Sequence, residues 1–230
     1  MRPVTDLLAA IDEHTARLVS DARTCDDLST PSRCEGWSID HVLNHLARNA
    51  EALVRLVGAA VDASGETMYD SPESRDDDID AGVGRDAQVV VTDVEETAAA
   101  LAPHLGRLTP QHHDLVLERT HGGPTFRGGM LPFMRLREVV YHHVDLDLGF
   151  DFDDVEPDLQ VTFIDNELKR QQGAEVAPSL TIRTDEGDVW SLGDGVAHVT
   201  GSRAGVLAWL ARQDASGVHA DALPDLTAGL

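Results

Sequence analysis

The sequence predicts an α+β protein. A four-helix bundle is expected over residues 1–150 and a smaller α+β domain with a short antiparallel sheet over residues 151–230. Three observations predict this. Four long stretches of the first part carry apolar residues at spacings of three and four, the helical period. The acidic run DFDDVEPD after Gly149 then marks a change of character. Beyond it come the short extended runs SLTIRT, DVWSL and VAHVT, parted by EGD and GDG turns.

Residues 4 to 22 make the first helix, with Leu7, Leu8, Ile11, Leu18 and Val19 on one broad apolar stripe. TCDDLSTPSRCEGW is a loop, broken by Pro31 and Gly36. Ser38 is placed to cap the second helix, Ile39 to about Val61, whose inward positions run from Ile39 and Val42 to Leu53 and Val57. ASGETMYDSPESRDDDIDAGVG is polar and turn-rich and is expected as a long loop; loops of that length inside a domain are often functional. The third helix runs from about Arg85 to Leu105. HHDLVLERTHGGPTFRGG reads as two short extended pieces around Gly122 and Gly123. Met130 to Gly149 is the fourth helix, with Pro132 in its first turn and Gly149 as its stop. In the second part, Asp158–Gln172 and residues 202–212 are helical, and the tail from Asp221 is extended.

Composition narrows the function. The chain holds 41 acidic and 18 basic residues, a formal charge of −23, and Lys169 is its single lysine. Nucleic acid and anionic membranes are therefore excluded as expected partners, since phosphate binding needs clustered cations. No run approaches the roughly 20 apolar residues of a membrane span. The amphipathic, acid-bearing N-terminus does not read as a secretory signal, so a cytoplasmic protein is expected. Cys25 and Cys34 lack CxxC spacing and read as packing residues.

The chemistry is expected on two helices. Glu138 and His142 lie four apart on the fourth helix and share a face, so both can ligate one ion. His45 lies at the edge of the second helix's apolar stripe and can meet them across a bundle core. Two imidazoles and a carboxylate suit Zn²⁺ with an open position, or another divalent metal such as non-haem iron. His41 and His45, also four apart, form a rival half-site. His113 and His121 read as surface residues, and His143 points about 100° away from His142 on the helix. Arg75 stands among acids in the long loop, either in local charge pairs or as an anion-binding arm. No HExxH, Walker, GxGxxG or GxSxG motif competes.

PSRCEGWSIDHVLNHLARNAEAL and MRLREVVYHHVDLDLG resemble the two signatures of the DinB-like metal-binding bundles of the mycothiol-dependent maleylpyruvate isomerase type. ETMYDSPESRDDDI resembles the isomerase's own loop, and GSRAGVLAWLARQDASGV the end of its C-terminal domain. The resemblance covers nearly the whole chain in one order. It implies zinc at His45, Glu138 and His142, and Arg75 and Arg212 in the active site; around Arg212 the spacing departs by about one residue from the family pattern. Asn49 and Tyr69 also match family positions. It further implies mycothiol as thiol cofactor and a small dicarboxylate substrate, with conversion of maleylpyruvate to fumarylpyruvate. A mycothiol S-transferase, or a non-catalytic metal- or ligand-binding module, are the alternatives on the same scaffold.

Overall fold

The structure is a computed structural model and describes residues 4–227. Contacts divide the chain into two compact units, one ending at Gly149 and one beginning at Phe150.

In the first unit, α1 (Val4–Ala22), α2 (Ile39–Val61), α4 (Ala87–Leu105) and α5 (Leu131–Asp145) form the bundle. Helix α2 packs on α4 and α5, and α1 packs on α5 and α4, so the four close into a ring. Leu43, Leu46, Val90, Val139 and Leu146 are fully buried or nearly so inside it. Ser38 caps α2 reciprocally: its hydroxyl accepts from the His41 amide, and the His41 ring accepts from the Ser38 amide. That use of Nδ1 commits His41 to the helix entrance. Helix α5 ends earlier than Gly149, because Asp147 takes a left-handed conformation at φ 56°. The loop between α1 and α2 closes that end. Its Arg33 amide donates to the Asp145 carbonyl at 2.8 Å, and its guanidinium reaches Asp147 at 2.8 Å.

One segment differs from expectation. Within the long polar stretch, Pro72–Asp80 is a helix, α3. Ser71 caps it by exchanging hydrogen bonds with Ser74, both at 3.1 Å, and Pro72 occupies the first turn. Its single buried residue is Ile79. One apolar residue in nine leaves no periodicity to read; the helix is specified by its cap. After α3 the chain is locked to α2. Asp40 accepts from the Gly84 amide at 2.7 Å, while Arg85 donates to Asn44 at 2.6 Å and to Asp93 at 2.7 Å. A β-hairpin follows α4: β1 (Val116–Glu118) pairs with β2 (Thr125–Arg127). The chain just before α3 is stitched to it, the Met68 amide donating to Glu118 and the Tyr69 amide to Arg119.

The second unit holds α6 (Pro157–Gln172), β3 (Leu180–Thr184), β4 (Val189–Leu192), β5 (Ala197–Gly201), α7 (Arg203–Arg212) and β6 (Val218–His219). The sheet order is β4-β3-β5-β6. Its outer pairs are antiparallel, but the central pair, β3 with β5, is parallel. The β4 hairpin returns the chain to the start of β3. The turn through Gly193 and Gly195, both at positive φ, then carries it to the other edge of β3. Helices α6 and α7 pack on each other. No helix among the described residues is long and apolar enough to cross a membrane.

Candidate metal centre and the adjoining cavity

Helices α2 and α5 bring three donor atoms to one point. Nε2 of His45 lies 2.9 Å from Oε2 of Glu138, and Nε2 of His142 lies 3.5 Å from the same oxygen. The two rings meet edge to face at 4.7 Å. Ligand atoms about 3.3 Å apart are what a tetrahedral ion with bonds near 2.0–2.1 Å requires. Four residues of spacing stack Glu138 over His142 on α5, and α2 presents His45 from the facing helix.

The neighbours set the protonation of these groups. Burial pushes the His45 pKa down to about 4, against the Glu138 hydrogen bond that raises it. Burial also raises Glu138, but the hydrogen bonds from His142 and His45 outweigh it and hold the carboxyl well below its usual range. For His142, burial is overcome by Asp145, Cys34 and Glu138, so its pKa stands well above the ordinary value. His45 is thus neutral, Glu138 ionised and His142 protonated near neutral pH. His45 donates through Nε2 to Glu138, and its Nδ1 accepts from Nη2 of Arg75 at 3.3 Å.

Behind His142, Nδ1 donates to the fully buried Asp145 at 2.8 Å. A carboxylate on the far nitrogen is the arrangement that fixes a metal-ligating imidazole. Cys34 stands beside it, its sulfur 3.9 Å from the same nitrogen. Cys34, His142 and Asp145 therefore make a second group of candidate ligands that overlaps the first at His142. The two sets use opposite nitrogens of one ring.

Arg135, one turn before Glu138, is fully buried and joins α5 to α2 through Leu46 O and Asn49 Oδ1, both at 2.9 Å. Burial lowers its pKa to about 10. Trp37 closes the side of the site, 5.5 Å from the His45 ring and 5.8 Å from the Arg75 guanidinium. Next to it opens a cavity of about 290 Å³, lined by Tyr69, Pro72, Arg75, Asp76, Arg119 and others. Burial raises the pKa of Tyr69, keeping its hydroxyl neutral.

A family model described as the mycothiol maleylpyruvate isomerase N-terminal domain matches residues 8–147. The chain belongs to that family. Two solved structures share the fold across the whole of this chain. Crystal structures of the mycothiol-dependent maleylpyruvate isomerase and of a histidine-to-alanine mutant of it superpose with TM-scores of 0.87. They are 23% and 22% identical, covering 99% of this chain and 98% of theirs. No curated protein matches the sequence.

Of the residues singled out in the sequence, His45, Glu138, His142 and Arg75 come together. Arg212 closes α7 in the second unit, where Nη1 donates to the Ala211 carbonyl at 3.0 Å. Asn49 supports Arg135, and Tyr69 lines the cavity. His143 is buried against Asp21 at 2.9 Å, and His121 is exposed. Sequence reasoning had no role for Trp37, Asp145 or Arg119. Asp145 was within reach of it, three residues after His142 on the same face.

Proposed function

We propose that the chain is a mycothiol-dependent cis–trans isomerase converting maleylpyruvate to fumarylpyruvate, with zinc or another divalent ion held by His45, Glu138 and His142. The observation that carries this reading is the convergence of those three donors, His45 buried and Glu138 and His142 half-buried, with Asp145 behind His142. Family membership supports the thiol and the reaction class. Two imidazoles and a carboxylate leave a position for an exogenous ligand. When bound, the ion would supply the charge that keeps a thiol ionised at neutral pH, the thiolate being the nucleophile.

The rest of the chemistry needs no nucleophile from the protein. A bound thiolate would supply the nucleophile for reversible addition to the C=C bond, about which rotation would become free; its departure would restore the alkene with no net gain or loss of atoms or electrons.

The side chains have separate tasks. With Nε2 of His45 holding the ion, the ring proton would sit on Nδ1, which would then no longer accept from Arg75. The guanidinium is then available to a substrate carboxylate, which it binds with two parallel hydrogen bonds. Trp37 and Tyr69 restrict water around that contact. Arg212 is proposed as a further substrate arginine, on the family resemblance. Arg75→Ala should raise KM and leave zinc content unchanged; an unaltered KM removes Arg75 from the site.

The test is an absorbance assay of zinc-loaded protein with maleylpyruvate, with and without mycothiol, wild type beside His45→Ala. Thiol-dependent formation of fumarylpyruvate, lost in the variant together with the metal, is the expected result. Consumption of mycothiol into a stable adduct would make the protein an S-transferase instead.

A further inference from the structure

Arg119 directly follows β1 and lies in the wall of the cavity that Arg75 also lines. In a chain with 41 acidic and 18 basic residues, cations ordinarily meet acids. Arg48, Arg55, Arg85 and Arg107 of the same unit each reach a carboxylate. Among the described residues, the Arg119 guanidinium has no hydrogen bond or ion pair, and its close neighbour is the face of Tyr69, 5.8 Å away. A guanidinium over an aromatic face is held by the ring's quadrupole while its N–H edges stay open.

The position of this side chain is built, although it belongs to a hairpin. The Arg119 amide donates to the Pro124 carbonyl at 2.8 Å, and its carbonyl accepts from the Tyr69 amide at 2.9 Å. Both backbone groups are engaged, so the root of the side chain is fixed and is tied directly to the segment that carries the ring beneath it. The cavity's charge points the same way. Asp76 lines it too, but is committed to Nη1 of Arg75 at 2.6 Å. Nε of Arg75 is buried and has no partner. Two guanidinium groups against one carboxylate leave a local positive site in a chain of formal charge −23.

We infer that Arg119 is a substrate-binding residue that selects short dicarboxylates, taking one carboxylate while Arg75 takes the other. This rests on the reading of the site as an isomerase of an unsaturated diacid. A monocarboxylate satisfies one guanidinium and leaves the other without a counter-charge. A diacid satisfies both. Tyr69, neutral beneath Arg119, adds no charge of its own and offers a hydroxyl donor.

The test measures binding apart from turnover. Full-length zinc-loaded protein is titrated calorimetrically with maleate and with crotonate, an unsaturated monocarboxylate of the same carbon number, in wild type, Arg119→Gln and Arg119→Lys. Each variant's zinc content and Tm are measured first; Arg119 is partly exposed, so both are expected to stay at wild-type values. Arg119→Gln should weaken maleate about tenfold or more, as loss of hydrogen bonds to a charged group does. Crotonate should shift less than about twofold, and Arg119→Lys should recover part of the maleate affinity through charge alone. Equal maleate binding in wild type and Arg119→Gln would overturn the inference, as would a wild type that does not prefer maleate to crotonate. If maleate binding depends on Arg119 but maleylpyruvate is not isomerised, the dicarboxylate site stands and the isomerase reading falls. If turnover proceeds and KM ignores Arg119→Gln, the isomerase stands and Arg119 has no part in it.

Discussion

His142 shows how much of the site is decided by single contacts. It stands between two carboxylates, Glu138 on Nε2 and Asp145 on Nδ1. They raise its pKa well above 6.5, so a metal must displace a proton from it. Zinc affinity should therefore fall as pH falls through the range above 6.5, with about one proton released per ion; competitive titration at several pH values measures this. Asp145→Asn should flatten that dependence and weaken zinc roughly 10- to 100-fold. A pH-independent affinity would show that His142 is not a ligand. Stability of the metal-free protein runs with His45 and His143, both pushed to about 4 mainly by burial. The unfolded chain takes up their protons near pH 6.5 and the folded chain only near 4, so stability should drop on acidification between those values. The convergence of His45, Glu138 and His142 was legible because i, i+4 spacing on one helix is a local property and a facing histidine needs only a bundle. Arg119 was not legible: nothing in a three-residue strand indicates which ring the side chain just after it will cover.

At the level of elements, caps and close approaches mattered where periodicity was silent. The four long helices were visible from their apolar stripes. Helix α3 was hidden because only Ile79 among its residues is buried. The parallel β3–β5 pair was hidden because strand direction depends on which edge a turn delivers the chain to, which alternation along a strand does not encode. Gly82 is the sharpest case of close approach. A Cβ there would fall 1.9 Å from Oδ1 of Asn44, the buried amide that Arg85 and Asp40 share. Gly82→Ala should cost about 1–3 kcal/mol, the range for forcing extra volume into a packed site. Chemical denaturation reads this as a lower midpoint at an unchanged m-value. A neutral substitution would mean that the Asn44 network yields without penalty.

Over the whole molecule, the division at Gly149 assigns the candidate metal ligands to one unit. His45, Glu138, His142, Asp145, Cys34 and Asn49 all precede it, as does every helix of the bundle. A fragment ending at Gly149 should therefore fold and bind zinc with an affinity near that of the full chain, as inductively coupled plasma analysis and calorimetry would register. Loss of zinc from a folded fragment would show that the second unit contributes to the site. The apolar patterning foretold the bundle, and its acidic surface foretold nothing about it, since net charge governs solubility and partners rather than topology.

The stitching of Met68 and Tyr69 onto the β1 strand has a consequence for how such a protein changes over generations. The candidate ligands are anchored on long helices, whereas the hairpin tip from Arg119 to Pro124 is partly exposed, short and tied to the backbone at its base. Diversity can accumulate at that tip as it does in a binding loop on a rigid scaffold. Variants randomised there should keep their zinc and differ in the anions they accept, so that a change of diet requires no rebuilding of the metal centre.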